Sequence, residues 1–174
     1  MPKARYLLAL TAIAALAALP AAAHVTLENR EAPVGAPYKA VFVVPHGCTG
    51  SATTGLRVQI PEGVIASEPA PKPGWKVDVV KGKYAGEYDY SGGKISEGIK
   101  EVVWSGGKLP PHEHDQFIID TYLTDALKPD SMLYFPAVQE CEAGISRWID
   151  LPTQGSGPHD TKWPAPGVKL MSKP

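Results

Sequence analysis

Gly55-Leu56-Arg57-Val58-Gln59-Ile60 alternates apolar and polar side chains with a period of two. A β-strand turns successive side chains to opposite faces, so this run sets Leu56, Val58 and Ile60 inward and Arg57 and Gln59 outward. Trp75–Val80 repeats the pattern with Trp75, Val77 and Val79. Tyr38–Val44 (YKAVFVV) is rich in β-branched and aromatic residues, and Pro45-His46-Gly47 ends it. Further runs over Val25–Glu28, Ile99–Trp104, Gln116–Leu123, Met132–Val138 and Ser146–Leu151 complete the set of predicted strands. Glycine and proline are spread between the runs and punctuate them rather than forming one linker. Strands of this length between turn signals predict an all-β sandwich or barrel. Beyond residue 23 no stretch keeps a helical apolar period for three turns. Tyr84–Glu97 reads as a hairpin or a long exposed loop, and residues 152–174 as an irregular tail pinned over the sheets by Trp163.

The first 23 residues read differently. Lys3 and Arg5 precede an apolar run from Tyr6 to Leu19, then Pro20-Ala21-Ala22-Ala23. A basic start, a short apolar stretch and a small-residue cleavage site are the pattern of a secretory signal peptide. Cleavage after Ala23 leaves residues 24–174 as one domain of 151 residues, enough for a real core. Of 17 basic residues, Lys3 and Arg5 leave with the leader, so 15 face 18 acidic ones, a net −3 with histidine neutral. No basic patch suits nucleic acid, and no later apolar run approaches the ~18 residues that a membrane span needs. The expected location is the periplasm, with no membrane span once the leader is gone.

Export bears on Cys48 and Cys141, the two cysteines of the chain. In an oxidising compartment an isolated pair reads as a disulfide. A thiolate metal site is the alternative, although the spacing is not C-x-x-C. Export also makes His24 the first residue of the mature chain. A terminal histidine carries a free amine and an imidazole, which can close a six-membered chelate ring on a metal through the amine and Nδ1. Nitrogen donors in a plane suit Cu(II). The strand expected at Val25-Thr26-Leu27 would hold that terminus to a sheet, which matters because ordering each residue costs about 1–2 kcal/mol.

Several pieces follow in order along the chain: Ala23-His24-Val25-Thr26, Val44-Pro45-His46-Gly47-Cys48, Leu56–Val64, Lys72-Pro73-Gly74-Trp75, Val103–Pro110, Phe135–Gly144 and Arg147-Trp148-Ile149. In this order they resemble the YcnI-like family of exported copper-binding domains, from His24 to about Leu170. The resemblance implies a single immunoglobulin-like, Greek-key β-sandwich. It further implies one copper held by the amine and imidazole of His24, a carboxylate ligand that maps onto Glu142, and a nearby tryptophan that maps onto Trp148. Read from composition alone, the same residues are a surface glutamate, a bridge and a core tryptophan.

The other histidines are weaker candidates. His112 and His114 could share one face of a strand and form an auxiliary site, but Pro110-Pro111 ahead of them argues for a loop. His46 lies in a turn beside Cys48, and His159 in the tail reads as solvated. Apart from Met1 the chain has only Met132 and Met171, far apart, so nitrogen and oxygen donors for Cu(II) are expected over thioethers for Cu(I). The leading expectation is a periplasmic Cu(II) carrier, or metallochaperone, that hands copper to or from another periplasmic or membrane copper protein. The rival is a copper oxidase or polysaccharide monooxygenase that takes a second histidine from His112 or His114. A third reading is an adhesion or interaction module in which His24 is incidental.

Overall fold

The computed structural model describes residues 24–152 and 161–173, and every regular element among them is a β-strand. In chain order these are β1 (Thr26–Leu27), β2 (Glu31–Pro33), β3 (Ala36–Val44), β4 (Thr53–Gln59), β5 (Val64–Pro69) and β6 (Lys76–Tyr90). There follow β7 (Gly93–Leu109), β8 (Asp115–Leu123), β9 (Met132–Tyr134), β10 (Ala137–Cys141), β11 (Ile145–Trp148) and β12 (Gly167–Met171). The expected leader over residues 1–23 lies outside the described residues, as do residues 153–160 with His159.

One sheet has the order β1-β3-β8-β5 and faces a second of order β11-β10-β4-β7-β6. The period-two reading holds at the centre: Leu56, Val58 and Ile60 are buried while Arg57 and Gln59 are exposed. Trp104 of β7 meets Phe117 of β8 edge to face at 5.3 Å, so large aromatics close the gap between the sheets. The pattern fades in β6, an outer strand. Trp75 and Val77 still pack on the core, but Val79 is left exposed.

Three expectations need correction or completion. Residues 152–174 are not irregular throughout, because β12 pairs in parallel with β2 and antiparallel with β9 in a third sheet. Val168 and Leu170 of β12 join the core, and that burial is what gives so short a segment its strand geometry. Trp163 does pin the chain, packing on Trp148 with ring centroids 5.0 Å apart. The run Met132–Val138 is two strands in two sheets, broken at Phe135-Pro136, where proline has no N–H to continue a ladder. Tyr84–Glu97 is the outer half of a long β6–β7 hairpin that reverses at Ser91-Gly92, both with positive φ.

Candidate metal centre

β1 forms one edge of the four-stranded sheet and β11 one edge of the five-stranded sheet. His24 stands just ahead of β1, and its ring lies 5.3 Å from the ring of Trp148 at the end of β11, inclined at 66°. The start of the domain is fixed by its neighbours rather than by its own hydrogen bonds alone. Val25 and Leu27 are buried in the core, while Thr26 and Leu27 pair with Val43 and Phe42 of β3. The backbone that follows His24 is therefore ordered as a strand.

Trp148 is itself tightly held. It is buried, pairs with Ala137 across the β10–β11 hairpin, and donates its indole N–H to Gln139 Oε1 at 3.1 Å. Gln139, at 1 % exposure, donates from Nε2 to the His46 carbonyl and to Thr53 Oγ1, each at 2.7 Å. Gln139 was not among the residues the sequence singles out. It lies inside the Phe135–Gly144 piece, but nothing in a sequence marks a buried glutamine as a hub, and only its three partners reveal it.

Cys48 and Cys141 form the expected disulfide, which ties the β3–β4 loop to the end of β10. The loop turns tightly at Gly47: a Cβ there would lie 1.7 Å from the Ser51 carbonyl oxygen. The Cys48 N–H donates to Cys141 Sγ at 3.0 Å, and Cys48 Sγ touches the Gln139 carbonyl at 3.7 Å.

Glu142 does not share this environment. Trp148 pairs with Ala137, whereas Glu142 follows Cys141 in the turn at the opposite end of the same hairpin. At about 3.3 Å per residue, the two positions are separated by roughly 13 Å or more along the strand. The Glu142 N–H donates to the Ala52 carbonyl, and its carboxylate pairs with Lys108 with almost half of the side chain in solvent. The structure brings His24 and Trp148 together and leaves Glu142 at the far end of the hairpin.

The remaining histidines also fall apart. His112 and His114 occupy the exposed turn between β7 and β8, as the two prolines ahead of them suggest. His46 is half-buried, with Nδ1 2.6 Å from the Gly47 carbonyl. Among the described residues, no three His, Cys, Asp or Glu side chains cluster as a metal cage. A terminal histidine needs no such cage for its first two donors, since amine and imidazole come from one residue. A chain beginning at His24 would offer copper a nitrogen pair beside an aromatic ring, whereas the expected carboxylate of Glu142 lies elsewhere.

Fold and site together define an immunoglobulin-like β-sandwich with one disulfide and a histidine–tryptophan contact at the meeting of two sheet edges. The family model described as a domain of unknown function (DUF1775), to which YcnI-like domains belong, matches residues 24–170, so the chain belongs to that family. The match opens on His24. The fold is similar to that of an uncharacterized protein from Nocardia farcinica, whose crystal structure revealed an immunoglobulin-like fold. The two share 22 % identity at a TM-score of 0.64, over 86 % of this chain and 99 % of that one. No curated protein matches the chain.

Proposed function

We propose that this is an exported copper carrier whose site is created when a leader is removed ahead of His24. Copper is the cargo, held as Cu(II) by the terminal amine and the imidazole of His24. The Trp148 indole walls one side and limits water there. The observation that carries this reading is the His24–Trp148 ring contact at the first residue of the family match. Anchoring by Val25 and Leu27 supports it, because a chelate on a frayed terminus would pay for ordering the chain at each loading. With Glu142 remote, the oxygen donors come from water or from the protein that gives or takes the metal. A site with open positions suits transfer, since an incoming ligand can bind before the outgoing one leaves. The periplasm is the compartment that matches a leader, a disulfide and a copper cargo.

The test compares protein starting at His24 with the same protein acetylated at its terminal amine, which removes that donor and adds no new amine. The unblocked form binds one Cu(II), and the acetylated form binds far more weakly. Affinity falls with acid, because both nitrogens must shed protons to bind. Equal affinities for the two forms, or no binding by the unblocked one, would end this reading.

A further inference from the structure

Behind the His24–Trp148 contact, a single buried amide joins three parts of the chain. We propose that Gln139 is a positioning residue for the copper site: it locks the Trp148 indole against His24 and ties that lock to the Cys48–Cys141 bridge. The inference rests on the copper reading above.

The chemistry of the partners leaves the amide one orientation. An indole N–H can only donate and a backbone carbonyl can only accept. Gln139 Oε1 must therefore face Trp148, and Nε2 must face the His46 carbonyl. Thr53 Oγ1 takes the second Nε2 proton, so every hydrogen-bonding direction of the donor nitrogen is used. A buried amide without partners loses its hydration uncompensated, and turning this one over would strand donor against donor and acceptor against acceptor.

That fixed amide restricts Trp148. The indole meets His24 at 66° and Trp163 at 64°, both edge contacts that a rotated ring could also make. The hydrogen bond from Nε1 decides which ring edge faces Gln139, and hence which edge is left toward His24. The anchors of Gln139 depend in turn on the bridge. His46 lies two residues before Cys48, and Thr53 Oγ1 lies 3.8 Å from Cys141 Sγ. A path of direct contacts thus runs from the disulfide through Gln139 and Trp148 to His24.

The experiment uses protein starting at His24 in four forms: wild type, Gln139→Met, Trp148→Phe and the double variant. Two readouts are taken. In metal-free protein, NMR follows exchange of the Trp148 indole proton with water. In Cu(II)-loaded protein, paramagnetic resonance and competition titration give the spectrum and the affinity. Gln139→Met should speed indole exchange several-fold, shift the copper spectrum and weaken binding by about 10–100-fold, the usual scale for groups that orient a metal site. In the Trp148→Phe background it should add nothing to the loss of affinity, because Gln139 acts through the indole. If Gln139→Met does not fold, Gln139→Asn replaces it, keeping an amide too short to span both partners, with the same results expected. Wild-type exchange and an unchanged spectrum in the variant would overturn the proposal, as would an equal loss of affinity with and without Trp148. Absence of copper binding by wild type would instead sink the carrier reading and this inference with it, and the metal-free exchange data tell the two failures apart.

Discussion

Two hydrogen-bond hubs hold this sandwich, and they are built on opposite principles. Gln139 is neutral, buried and joined to uncharged partners. Glu62, in the turn between β4 and β5, is partly exposed and gathers the Ala85 N–H, the Tyr88 hydroxyl and the Lys100 ammonium within 2.7–2.9 Å. The first fixes the back of the candidate metal centre. The second pins the long β6–β7 hairpin to the body of the domain. A neutral hub is insensitive to pH and salt but demands full burial and complete pairing. A charged hub tolerates water, and its strength rises and falls with protonation. The domain uses the insensitive kind where an aromatic ring must keep one orientation.

Removing the bridge should break this comparison most strongly. Cys48→Ala with Cys141→Ala is expected to cost about 2–5 kcal/mol of stability. The loss should fall on the Gln139 side, because His46 and Thr53 lie beside the two cysteines. Denaturant unfolding measures the cost. Indole exchange of Trp148 should quicken while the Glu62–Tyr88 contact survives, and an unchanged unfolding midpoint would show that the bridge carries no such load.

Titration sharpens the contrast. Burial works to raise the Glu62 carboxyl, but hydrogen bonds from Lys100, Tyr88 and Ala85 and the Lys100 charge outweigh it and hold the group below the usual carboxylate range. Burial and the hydrogen bond to Glu62 push the Tyr88 phenol up to about 12. A depressed carboxyl stabilises the fold above its unfolded pKa and loses that contribution as pH falls through its folded one. A raised phenol stabilises below its unfolded pKa and loses the contribution as pH rises through about 12. Glu62→Gln should therefore cost most between these limits, under about 1 kcal/mol given the solvent around the pair. The difference from wild type should close at both extremes. Gln139→Met should show a pH-independent cost across the same range, and thermal melts of both variants against pH decide the matter.

The smallest expected effect is at Glu142. Glu142→Gln breaks an exposed pair with Lys108 and should change stability by about 0.5 kcal/mol or less. It should leave the Cu(II) resonance spectrum unaltered. A changed spectrum would return Glu142 to the ligand set and require the end of the hairpin to fold back toward His24.

Much of the fold was legible locally. Gly55–Ile60, Tyr38–Val44 and Gln116–Leu123 announce themselves because a half-buried strand writes its two faces into alternate residues. The bridge followed from there being two cysteines and an expected oxidising compartment. β5 and β12 were not legible, because Val64–Pro69 and Gly167–Met171 are short and owe their strand geometry to neighbours distant in the chain. His24 stands out in the sequence because a leader-like apolar run ends just ahead of it. Glu142 could not be placed, because adjacency to Cys141 in sequence says nothing about which end of a hairpin the metal would occupy.

By itself, then, the sequence determined the strand alternation, the cysteine pair and a histidine directly after a leader-like run, since each is written in neighbouring residues or in composition. Tertiary structure alone decided that β1 and β11 lie at meeting edges of two sheets, that Trp148 faces His24, and that Gln139 holds them there. His24 and Trp148 are more than a hundred positions apart, and only packing two sheets face to face settles that they touch.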